Sequence, residues 1–131
     1  MTAPTPYLTF PGSAREALTF YRDVFGGELT LHTFADFGRD DGPPDAVAHG
    51  VLTGRVALFT ADAGPGEPVL RMEGVLFSLL GTAHPETLHA WFNGLSDGGT
   101  DIDPLQRRPW GATDGQVTDR FGVRWLIGYE D

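Results

Sequence analysis

Hydrophobic and polar positions change period several times along this chain, and each change marks an element. Tyr7-Leu8-Thr9-Phe10 alternates as a strand does and stops at Pro11-Gly12. Ser13 and Glu16 have the spacing of a capping box, and Ala14, Ala17, Leu18, Tyr21, Val24 and Phe25 recur at helical intervals until Gly26-Gly27. A strand followed by a helix is predicted. Glu28 to Phe34 alternates again, and the polar stretch from Asp36 to Asp45, with Gly38, Gly42 and Pro43-Pro44, reads as a loop. Val47 to Thr53 and Arg55 to Ala61 are β-rich runs separated at Gly54, which predicts a tight antiparallel hairpin.

Ala63-Gly64-Pro65-Gly66-Glu67-Pro68 breaks all periodicity and is expected to link two halves, being too short to separate independent domains. The second half begins with a strand from Gly74 to Leu80. A helix follows from Pro85, with Leu88, Trp91, Phe92 and Leu95 on one face and a stop at Gly98-Gly99. Three more strands are expected around Thr100 to Pro104, Gly111 to Asp119 and Val123 to Tyr129. The order of elements therefore repeats. Phe20-Tyr21 followed by Gly26-Gly27-Glu28-Leu29 is echoed by Trp91-Phe92 followed by Gly98-Gly99-Thr100-Asp101, the mark of a duplicated module. The expected architecture is α+β: a single domain over residues 1–131, built from βαβββ modules spanning about 5–62 and 72–130.

Composition narrows the chemistry. Hydrophobic residues make up 40% of the 131, enough for one core, and no apolar run approaches the roughly 20 residues of a membrane-spanning helix. Met1-Thr2-Ala3-Pro4-Thr5-Pro6 has neither a basic start nor an apolar core, so a cytoplasmic location is expected. The absence of cysteine excludes disulfides and all thiolate chemistry, and the absence of lysine excludes Schiff bases. A net charge of -9 repels phosphate backbones, so neither nucleic acid nor an anionic membrane is an expected partner. Ser13, Ser78 and Ser96 lack a nucleophile-elbow context, and no glycine-rich loop joins a strand to a helix as a phosphate site requires.

Among residues that could carry chemistry, His49 lies mid-strand and has an ordinary pKa of about 6.5, suited to a general base. The alternative is a half-buried histidine bonded to a neighbouring strand. His32, His84 and His89 read as solvated. Trp110, flanked by Pro109 and Gly111, could wall a ligand cavity, or fill a core or a dimer seam. Arg107 and Arg108 offer guanidinium forks to a carboxylate or phosphate, or sit on a surface turn. Asp119, before Gly122, is expected to bond turn amides.

Paired βαβββ modules resemble the vicinal oxygen chelate superfamily, which holds glyoxalase I, fosfomycin and bleomycin resistance proteins and extradiol dioxygenases. Pro6-Tyr7-Leu8-Thr9-Phe10, Ala14-Arg15-Glu16-Ala17, Phe20-Tyr21, Val24-Phe25-Gly26-Gly27, Trp110-Gly111 and Thr118-Asp119-Arg120-Phe121-Gly122-Val123-Arg124-Trp125 are similar to its PhnB-like branch. The resemblance implies a curled mixed sheet forming a cavity, and a homodimer. Metal-using members place histidine on the first strand of each module and glutamate on the last. Those positions fall on or beside Tyr7, near Phe77 and near Leu126, where phenylalanine and leucine offer no lone pair to a divalent ion.

The resemblance thus implies a cavity that binds or turns over a small organic molecule with neither metal nor other cofactor. His49 is the catalytic candidate, and Tyr7, Thr9, Phe77, Trp110 and Leu126 are the candidate lining. Two other functions stay open. One is a non-catalytic protein that sequesters a hydrophobic compound; the other is a metal-dependent lyase or dioxygenase in which His49 is joined by Glu28 or Asp36.

Overall fold

The structure, a computed structural model, describes residues 4–131. The chain divides into two compact units, Met1–Leu70 and Arg71–Asp131. In the first unit, β1 (Tyr7–Phe10) leads into α1 (Ala14–Phe25). Then come β2 (Glu28–Thr33), a short 3-10 turn (Ala35–Phe37), β3 (Val47–Thr53) and β4 (Leu58–Asp62). The second unit holds β5 (Phe77–Leu80), α2 (Pro85–Ser96), β6 (Thr100–Arg107), β7 (Ala112–Thr118) and β8 (Arg124–Glu130). Each unit is one open four-stranded mixed sheet, ordered β1-β4-β3-β2 in the first and β5-β8-β7-β6 in the second. The duplication read from the sequence is a repeat of topology. In both sheets the first strand pairs in parallel with the last, and the remaining pairs are antiparallel.

One face of each sheet packs on its helix. In the first unit Leu8, Phe10, Leu52 and Leu58 are buried with Ala17, Leu18 and Tyr21 of α1. A Cβ on Gly50 would run into the Leu18 side chain, which fixes the face to which Gly50 belongs. In the second unit Leu79, Val117, Trp125 and Ile127 are buried with Leu88, Trp91, Phe92 and Leu95 of α2. Strand alternation then assigns the neighbouring residues to the opposite face, the one turned away from the helix.

Where the structure differs from the sequence reading, the causes are local. Ser13 makes no side-chain cap bond. Instead Asp62, buried at the end of β4, accepts the Ala14 amide at 2.9 Å through Oδ1 and the Val47 amide at 2.9 Å through Oδ2. A carboxyl group so placed, with one oxygen for each, satisfies a helix-end donor and a strand-end donor together. β5 begins at Phe77 rather than Gly74, because only Phe77–Leu80 has a partner in β8. β6 continues past Pro104 to Arg107. It is an edge strand with register shifts between Thr100 and Asp103 and between Asp103 and Gln106, where the missing proline N–H leaves no ladder bond unmade.

The two double glycines have matching roles. A Cβ on Gly27 would meet the carbonyl oxygen of Thr53, which ends β3, and a Cβ on Gly99 would meet that of Thr118, which ends β7, at 2.8 Å. In each unit the chain leaving the helix thus crosses close to the end of the third strand. Among the described residues no helix is long and apolar enough to cross a membrane.

Candidate ligand-binding site

On the face of the first sheet turned away from α1, β1 contributes Tyr7 and Thr9, β3 contributes His49 and Val51, and β4 contributes Phe59 and Ala61. Tyr7 is registered with Phe59, Thr9 with Ala61, and Val51 with Phe59. The Tyr7 hydroxyl lies 2.9 Å from His49 Nδ1, and the two rings are stacked with centroids 5.6 Å apart. Phe59 lies 5.4 Å from His49 and 6.0 Å from Tyr7, so the three rings form one aromatic surface. Three of the residues singled out from the sequence, Tyr7, Thr9 and His49, are thereby brought onto one face.

His32 extends the cluster. It is registered with His49 across β2 and β3, its ring stacks parallel to His49 at 6.4 Å, and Phe37 stacks on its other side at 5.5 Å. The sequence pattern predicts a solvated His32, whereas in the structure it is half-buried between two rings. Phe59 was missed because Leu58 and Phe59 are both apolar and either could have faced α1. The register His32↔His49 spans the loop from Phe34 to Ala46, and nothing in the local sequence announces it.

The Tyr7 phenol is pushed above its ordinary value, first by burial and then by the negative charge of Glu67. Both causes disfavour the phenolate, so Tyr7 remains a hydroxyl across the physiological range. The segment expected to be a linker folds back along this strand. Leu70 N donates to Thr9 O at 2.7 Å, and Ala63 N donates to Phe10 O at 2.8 Å.

In the second unit the candidates separate. Leu126 lies on the face turned away from α2, registered with Ser78 and Gln116. Phe77 lies on the opposite face, registered with Trp125 and packed edge-on against its ring at 5.6 Å. Phe77 therefore does not share a face with Leu126; the residue of β5 that does is Ser78. A one-residue error in strand phase moves a side chain through the sheet. Trp110 sits in the turn between β6 and β7 and is 72% exposed, at the rim of a cleft of about 470 Å³ with Leu80, Thr113 and Tyr129.

The two arginines before Trp110 are engaged within the chain. Arg107 pairs with Asp131, and Arg108 donates to Asp114 at 2.7 Å and Asp103 at 2.9 Å. Asp119 bonds turn amides as expected, accepting from Phe121 N and Val123 N, and it also takes the indole N–H of Trp125 at 2.9 Å. His89, on α2, contacts the Tyr129 hydroxyl at 2.9 Å.

The side chains at the superfamily's usual metal positions do not suit a divalent ion. Tyr7 is held by His49, Ser78 offers only a neutral hydroxyl, and Leu126 offers nothing. Among the described residues no three histidine, aspartate or glutamate side chains are gathered as a metal site needs. Asp36, a possible partner for His49, instead accepts the Thr33 amide, which holds its carboxyl below the usual range. Glu28 lies at the far end of β2, registered with Thr53.

Two open mixed sheets of βαβββ connection, each backed by one helix, define the paired-module class of α+β proteins. Residues 6–127 match the model of the Glyoxalase/Bleomycin resistance protein/Dioxygenase superfamily, and the chain belongs to that family. Protein YjdN of Escherichia coli K12 is 27% identical, over 94% of this chain and 92% of its own length. Protein PA1353 of Pseudomonas aeruginosa is 33% identical, over 99% of this chain and 98% of its own, with a TM-score of 0.80. The PhnB protein of Bacillus cereus shares the fold at 20% identity and a TM-score of 0.77, covering 98% of this chain and 99% of its own. The resemblance to the PhnB-like branch read from the sequence agrees with these neighbours.

Proposed function

We propose that this chain binds and turns over a small organic molecule on the open face of its first sheet, with His49 as general base and Tyr7 as hydroxyl donor, and without a bound metal. The observation that carries this reading is the 2.9 Å contact between the Tyr7 hydroxyl and His49 Nδ1. When Nδ1 bears the proton and donates to the phenol oxygen, Nε2 presents a lone pair and the phenol hydrogen is free for a ligand oxygen. One molecule can then lose a proton to His49 while the charge growing on its oxygen is met by Tyr7. Phe59 supplies apolar area beneath it.

Elemental analysis tests the metal-free part. After incubation with zinc, manganese or iron(II) and extensive dialysis, the protein should retain far less than one ion per chain. Near-stoichiometric metal that His49→Gln no longer holds would overturn this part and favour a metal-dependent lyase or dioxygenase. Mass spectrometry of a mixture of small organic molecules incubated with the protein tests turnover: at least one should be consumed, and Tyr7→Phe and His49→Gln should both slow its loss. Variants that consume it as fast as the parent place the chemistry elsewhere.

A second reading, a non-catalytic protein that sequesters a hydrophobic compound, is favoured by the run of rings from Tyr7 through Phe59, His49 and His32 to Phe37. It is distinguished by a ligand recovered unchanged and bound equally by His49→Gln. We also take the working form to be a homodimer, supported by exposed Leu80 and Trp110; light scattering should return twice the 14.2 kDa chain mass.

A further inference from the structure

The second unit contains a cleft of about 340 Å³ whose lining includes Met72, Val75, Leu76, Thr118 and Arg124. None of its lining residues is acidic. Arg124 is half-buried. Its Nε and Nη2 donate to Gln116 Oε1 at 3.3 and 3.2 Å, and its Nη1 donates to the Asp101 carbonyl at 2.7 Å and to Thr118 Oγ1 at 3.1 Å. All of these acceptors are neutral. The chain has twice as many acidic as basic residues, 18 against 9, and Arg39, Arg71, Arg107, Arg108 and Arg120 each pair with a carboxylate. Among the described residues Arg124 forms no such pair.

A guanidinium withdrawn from water among neutral dipoles keeps its charge uncompensated, which disfavours the site until an anion arrives. Its plane is already fixed by Gln116 on one edge and by Thr118 and the Asp101 carbonyl on the other. Four of its five N–H groups are used, leaving one on Nη2. The Thr118 hydroxyl accepts from Arg124, so its own hydrogen is free to donate. The two remaining donors match the two oxygens of one carboxylate, fewer than a phosphate would engage. Met72, Val75 and Leu76 offer an apolar wall, and the Met72 sulfur is held against β8 by the Arg124 amide at 3.4 Å.

We propose that this cleft binds a small organic carboxylate, its anionic end on Arg124 and Thr118 and its apolar body on Met72, Val75 and Leu76. The site uses none of the residues assigned to His49 chemistry, so either reading can fail alone.

Calorimetric titration with sodium hexanoate tests it, with methyl hexanoate and inorganic phosphate as comparators. Hexanoate should bind saturably and more tightly than acetate, and the ester should not bind. Arg124→Gln should weaken binding by about tenfold or more, and Thr118→Val by several-fold. Thr118→Val leaves the guanidinium in place and carries the test should Arg124→Gln fail to fold. Equal binding of acid and ester, no saturable binding of hexanoate, displacement of hexanoate by equimolar phosphate, or unchanged affinity in a folded Arg124→Gln or in Thr118→Val overturns the assignment.

Discussion

Asp62 Oδ1 accepts the Ala14 amide at 2.9 Å, joining the end of β4 to the first residue of α1 across 48 positions of sequence. Its other oxygen holds Val47 at the start of β3. Replacement by asparagine keeps the size but turns an NH₂ group toward one of two amide donors, whichever way the side chain is flipped. Asp62→Asn should therefore cost about 3 kcal/mol, on the order of 10 °C in Tm. Ser13→Ala, at the position that looks like the cap, should change stability by less than about 0.5 kcal/mol. Chemical denaturation of both variants checks the pair; the reverse ranking would return the capping role to Ser13.

Gly27 has a φ of 108° and faces the Thr53 carbonyl. Alanine there meets both backbone strain and a collision with an atom that cannot rotate away. Gly27→Ala should destabilise by about 3 kcal/mol or more. Gly26→Ala, which meets nothing within 4 Å, should cost less, only the strain of its own positive φ, about 1–2 kcal/mol. Thermal melts that place the two variants together would show that the crossing with β3 is not tight.

The Thr60 hydroxyl is buried and, among the described residues, has no hydrogen-bond partner. The buried side chain lies on the α1 side of the sheet, registered with Gly50, so valine keeps the shape while removing an unpaired polar group. Thr60→Val should leave stability unchanged or raise it by about 1 kcal/mol. A loss beyond about 1 kcal/mol, measured by urea unfolding, would reveal a partner for the hydroxyl.

Burial and Glu67 raise the Tyr7 pKa above 10.0. The folded chain therefore holds this proton to higher pH than the unfolded chain does. The associated stability is fully present below the unfolded value of about 10 and is lost as pH rises through the folded value. A difference absorbance titration of the parent against Tyr7→Phe should show one late-ionising phenol, and Glu67→Gln should bring its midpoint down. A midpoint at or below the ordinary value would contradict the environment assigned to Tyr7.

The helices and the order of elements along the chain were legible in the sequence because α1 and α2 each carry an apolar stripe closed by a double glycine, and the strands between them alternate. The long-range partners were not. Asp62 has no local feature that marks it as the cap of α1, whereas Ser13 and Glu16 have the right spacing and do not form the bond. Phase was the other limit. Tyr7 and Thr9 alternate cleanly with buried Leu8 and Phe10, so their face could be assigned, while Leu76-Phe77 and Leu79-Leu80 are apolar on both sides and do not mark the face of Phe77. Arg124 carries no local mark because its distinction, the lack of a carboxylate partner among the described residues, shows only in three dimensions.

The parallel pairing of first and last strands, Tyr7 with Phe59 and Phe77 with Trp125, sets a timetable for the nascent chain. β1 leaves the ribosome before β4 and has no strand neighbour until β4 follows it, some fifty residues later by the register of Tyr7 with Phe59. For that interval its edge is an open template for other chains. Slow translation before β4 has emerged would lengthen the exposure, while rapid delivery of β4 would end it, so misassembly during synthesis should follow codon choice up to the emergence of β4 more than codon choice after it.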